Sequence, residues 1–82
     1  MSKKKIPKQS SGIEAALVLI LEEVRCAQQL YPPYVNVHHA YAVMLEQLDE
    51  FWDMLKYTKR KSLMRLRIAQ VAAACLRYLA NE

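Results

Sequence analysis

Beyond Gly12, the only glycine in this 82-residue chain, one place alone strongly breaks regular structure: the adjacent prolines of Tyr31-Pro32-Pro33-Tyr34. A chain that turns so rarely cannot form many short strands, because hairpins need turn residues at short intervals. It predicts long helices. With 54% hydrophobic residues a core is expected rather than disorder. One domain is all that this length allows, and a domain so small leaves much of its surface open.

The formal charge of +4 is unevenly spread. Lys3, Lys4, Lys5 and Lys8 lie at the start, and from residue 9 onward eight basic and eight acidic residues cancel. We therefore expect residues 1–10 to form a disordered basic tail and 11–82 a single helical domain. Nucleic acid is not an expected partner except through that tail. ALVLIL, Ala16 to Leu21, is too short to span a membrane, and the start lacks the long apolar run of a signal peptide. Cys26 and Cys75 show no ligand spacing and read as buried free thiols in a cytoplasmic protein.

Three helices follow from the pattern. Ser11 with Glu14 forms a capping box, and Ile13, Ala16, Leu17, Ile20, Val24 and Ala27 recur at helical spacing up to about Leu30. Asn36 is a suitable N-cap for a second helix, whose apolar stripe is Tyr41, Met44, Leu45, Leu48, Trp52 and Leu55. Trp52 is expected in the core. A third helix should start near Ser62–Leu63, and its small apolar middle, AQVAAACL, suits a central position. The surplus of apolar surface predicts an all-α, three-helix protomer that completes its bundle by forming a homodimer or tetramer.

LEQLDEFWD carries Glu46, Asp49, Glu50 and Asp53 at i, i+3, i+4 and i+7, on one helical stripe. The stripe lies nearly opposite the apolar one, as a solvated face would. Metal ligation is the alternative. Antiparallel pairing through the short second connection would place Glu50 level with Gln70, and Asp53 level with Leu66 and Arg67. His38 and His39 are neighbours about 100° apart and do not form a chelating pair; capping or packing is their expected role. Lys56, Lys59 and Arg60 cluster with Lys61 and Arg65 at the same connection. They could grip phosphates, or simply complement the C-terminal dipole of the second helix. The Tyr31–Tyr34 segment reads either as a platform for a base or as a brace for the corner.

HHAYAVMLEQLDEFWDMLK followed by LRIAQVAAACLRYL resembles the MazG-like proteins of the all-α NTP pyrophosphohydrolase superfamily, in particular a compact branch common in phage and mobile elements. The likeness covers residues 30 to 82, and the first helix fits by position only. It implies helical dimers or tetramers that cleave nucleoside triphosphates to a monophosphate and pyrophosphate. In that family an EExxE motif and an ExxD motif on the next helix hold Mg²⁺, whose hard oxygen ligands such chemistry requires.

Here EExxE falls on Glu46-Gln47-Leu48-Asp49-Glu50, and ExxD on Arg67-Ile68-Ala69-Gln70. Glu46 and Glu50 remain as candidate metal residues. Gln47, Arg67 and Gln70 occupy ligand positions that have lost their acid, so of four usual ligands only Glu50 survives. Arg67 offers a fixed positive charge to Glu50 or Asp53. The expectation is a degenerate homologue with weak or no hydrolysis and no cofactor, Mg²⁺ entering only if the site is active, and a nucleotide as the small-molecule partner. The alternative is a homo-oligomeric helical interaction module without catalysis.

Overall fold

The computed structural model describes the backbone from Lys8 to Asn81 and the side chains from Gly12 to Asn81. Residues 1–7 of the expected basic tail lie outside the described residues. Three helices follow in order: α1 (Lys8–Leu30), α2 (Val37–Tyr57) and α3 (Lys61–Asn81), and no strand occurs among the described residues. The all-α, three-helix protomer read from the sequence is the architecture found.

Local signals account for most boundaries. Asn36 has the extended backbone of an N-cap, and its side-chain oxygen accepts from the His39 N–H at 2.9 Å. The α2 C-terminus closes with the Thr58 N–H donating to Met54 O at 2.9 Å. Thr58 Oγ1 then accepts from the Arg60 N–H at 3.2 Å, which tightens the turn into α3. Two starts differ from the reading above. α1 begins at Lys8, so Ser11 lies within the helix and not at its cap. Pro7 precedes that start, and proline is well tolerated at a helix entrance. α3 begins at Lys61, ahead of Ser62.

α3 is the shared partner. α1 and α2 each pack on α3, and among the described residues their backbones do not come together. Ala69, Ala73 and Ala74 are buried on α3, where small side chains let both flanking helices come close. The central position expected for AQVAAACL is therefore the one it takes. The described residues extend 50 × 34 × 19 Å, the proportions of a slab with helices side by side.

Such a slab does not close a core of large side chains. Among the described residues the buried apolar ones are four alanines (Ala40, Ala69, Ala73, Ala74) and Val24, with no large side chain fully enclosed. α2 packs on α3, and its less exposed face comprises Ala40, Val43, Met44, Gln47, Glu50, Phe51 and Met54. The apolar stripe assigned to the core is mostly turned outward: Trp52 is 58% exposed and Tyr41 64%, with Leu45, Leu48 and Leu55 also open. Ala40, 1% exposed, gives α2 a close approach at that end, and seating the face on which it lies turns the Tyr41–Trp52 stripe away from α3. Cys26 and Cys75 are likewise exposed, free thiols rather than buried ones.

Gly12 sits inside α1, and a Cβ built there meets nothing within 4 Å. Gly12→Ala should therefore stabilise the fold by about 0.5–1 kcal/mol, read from the urea midpoint. A helix starting at Ser11 would place residue 12 in its first turn, and the gain would vanish.

Candidate functional site

Because α1 and α2 flank α3 with their backbones apart, an open cleft of about 670 Å³ lies between them with α3 as its floor. Glu23 and Tyr31 enter it from α1 and its C-terminal end. Glu46, Gln47 and Glu50 enter from α2, and Arg67, Gln70 and Arg77 from α3. The five positions to which the resemblance draws attention, 46, 47, 50, 67 and 70, thus share one cleft.

A chain of hydrogen bonds crosses it. Arg67 Nη1 donates to Glu50 Oε1 at 2.9 Å and to Gln70 Oε1 at 2.9 Å. Gln70 Nε2 in turn donates to Glu23 Oε1 at 3.3 Å. Glu50, Arg67, Gln70 and Glu23 therefore tie α2 to α1 through α3. Glu50, expected level with Gln70, is linked to it through Arg67, and of the two partners expected for Arg67 it is Glu50 that is bonded. Both ends of the Arg67–Glu50 pair are more than a third exposed, so solvent screening limits its contribution to about 0–1 kcal/mol.

The four-carboxylate stripe is divided by this arrangement. Glu50 is half-buried against Arg67, Glu46 is exposed along the cleft, and Asp49 and Asp53 face solvent. Asp53 pairs with Lys56 at 3.3 Å. The stripe is therefore not one solvated face. Gln47 Oε1 is buried and meets no donor among the described residues. A glutamate at 47 would place a further charge there, and the amide avoids it.

Among the described residues no three His, Cys, Asp or Glu side chains are grouped so as to hold a metal. The guanidinium of Arg67 already binds Glu50, the one usual metal ligand that survives, while Glu46 stands exposed along the cleft. Lys56, Lys59 and Arg60, read as phosphate contacts, do not line the cleft; they stand at the α2–α3 turn. Lys56 lies over the rings of Trp52 and Tyr57 at 5.8 and 5.7 Å.

At one end of the cleft the connector between α1 and α2 is braced. Tyr34 donates its hydroxyl to Ala74 O at 3.0 Å. Arg77, only 6% exposed, stacks on the Tyr34 ring at 4.6 Å and donates to Pro32 O at 3.4 Å. The His39 ring meets Tyr34 edge-on at 5.4 Å, and its Nδ1 accepts from the Val35 N–H at 3.0 Å. His39 thus packs and caps, as the spacing argument expected, while His38 is exposed. Of the two readings of the Tyr-Pro-Pro-Tyr segment, Tyr34 supplies the brace for the corner, while Tyr31 is exposed beside the cleft.

Sequence reasoning missed Glu23 and Arg77. Each carried a signal, namely a charge set on the inward stripe of its helix, three residues after Ile20 and four after Ala73. Compared with protein-family models, with curated proteins and with solved structures, the chain matches none. No helix among the described residues is long and apolar enough to cross a membrane.

Burial pushes the Tyr34 phenol above its ordinary value, with the Arg77 charge opposing that shift. The folded state therefore favours the protonated phenol. This contribution is complete below the unfolded value of ~10 and is lost as pH rises through the higher folded value. Tyr34→Phe should cost about 1 kcal/mol at neutral pH through the lost bond to Ala74. Urea midpoints should also show less loss of stability above pH ~10 in the variant than in the parent.

Proposed function

We propose that this protein is a MazG-like helical scaffold in which an internal ion pair stands where the family holds its metal, and that it does not hydrolyse nucleotides. The observation that carries this reading is the bond from Arg67 to Glu50. An arginine is permanently charged and cannot act as a cation ligand. Its presence on Glu50, the one usual ligand that survives, leaves a divalent ion with Glu46 as its only unpaired carboxylate from the motif. The convergence of positions 46, 47, 50, 67 and 70 on one cleft supports the scaffold part of the reading.

Charge argues against a bare triphosphate as well. Glu23, Glu46 and Glu50 line the same cleft as Arg67 and Arg77, so the cleft is not cationic, and without a metal its carboxylates repel phosphate. What remains is a homo-oligomeric helical interaction module. The many large apolar side chains left open on one protomer support that role.

The test is pyrophosphate release from a panel of NTPs and dNTPs with Mg²⁺ or Mn²⁺. Release should not exceed that of Glu50→Gln, and no thermal shift should follow from dNTP plus Mg²⁺. Release that Glu50→Gln abolishes, or Mn²⁺ binding in calorimetry that the same change removes, would overturn the reading.

A further inference from the structure

We infer that the outward face of α2, from Tyr41 to Leu55, is a self-docking seam that a second copy of this chain covers with the same face. The inference rests on the homo-oligomer reading above and assigns its surface.

Spacing is the first argument. Tyr41, Leu45, Leu48, Trp52 and Leu55 follow one another at intervals of four, three, four and three. This is the 3.5-residue repeat of a helix seated against another helix, narrower than the stripe of a helix that packs on a globular core. In the protomer that repeat has no partner. α2 meets α3 through a different face, and Tyr41, Leu48 and Trp52 are all half or more exposed.

Area is the second. A fully open large aromatic presents ~150–250 Å². The seam holds two such aromatics and three smaller leucines, between 41% and 64% exposed, and so offers on the order of 400 Å² per copy; with the adjoining apolar hollow, two copies approach the ~1,000 Å² that a specific interface must clear. The seam also continues into further apolar surface. Phe51 stands three residues after Leu48 and four before Leu55, so it adjoins both on the helix. It lines an apolar hollow of about 420 Å³ with Leu19 and Ile20 of α1 and Met64 and Ile68 of α3.

Self-complementarity is the third. A two-fold axis sets one patch against itself, so the patch must not repel its twin. The row that borders the seam carries one charge of each sign, Asp49 and Lys56, seven residues apart. With no large side chain fully enclosed in the protomer, a second copy supplies what this small domain lacks.

Trp52 is the single tryptophan, so its fluorescence reports on this seam alone. The full chain is measured by light scattering across the micromolar range, with emission recorded in parallel. The wild type should scatter as at least two copies, with blue-shifted emission that moves red as dilution separates them. Leu45→Glu with Leu48→Glu should scatter as one copy, with red emission throughout and unchanged helical circular dichroism. A wild type that is monomeric throughout overturns both this seam and the homo-oligomer reading, leaving the face to a different partner. An oligomeric wild type with the emission of an open indole, or a double variant that keeps the parent mass, overturns the seam alone. Should the double variant fail to fold, the wild-type emission on dilution decides.

Discussion

The whole arrangement depends on how closely two helices can approach α3. Ala69, Ala73 and Ala74 remove side-chain bulk where α1 and α2 come in, and Ala40 does the same from the α2 side. With α3 between them, the two outer helices stay apart. That separation creates the cleft, and it also leaves the molecule as a slab whose larger apolar side chains lie outside its core. The inner site and the outer surface are two consequences of one packing choice.

Within the cleft, polar groups take the place that direct α1–α2 packing would otherwise fill. Glu50, Arg67, Gln70 and Glu23 form a line across the three helices. Partial exposure keeps each link weak, so the line positions the helices more than it stabilises them. At the connector the arrangement is tighter. Arg77 is buried, stacked on Tyr34 and bonded to the Pro32 carbonyl, and Tyr34 reaches back to α3. The two prolines break the chain between α1 and α2, and this brace holds the connector against α3.

Arg67 is where structure and chemistry meet. A carboxylate at that position would face Glu50 and Glu46 across the cleft and require a cation to relieve the repulsion. An arginine supplies that charge from within the chain. In the reading proposed above, that internal charge stands in place of an ion beside the acidic groups of the cleft.

Much of the fold was legible because its signals are local. Asn36 as a cap, the prolines at 32 and 33, and helical periodicity each act within a few residues, and they set three helices with α2 beginning after Asn36. The pairing of Arg67 with Glu50 was legible too, because a short connection restricts the register of two antiparallel helices. The inward face of α2 was not. Its Tyr41–Leu55 stripe is more hydrophobic than the Ala40–Met54 face that packs, and hydrophobicity alone selects the wrong one. Periodicity says that a face wants cover but not what provides it. That was decided by the fit of small side chains against α3, a property of two helices together, and so were the burial of Arg77, the role of Glu23 and the exposure of both cysteines.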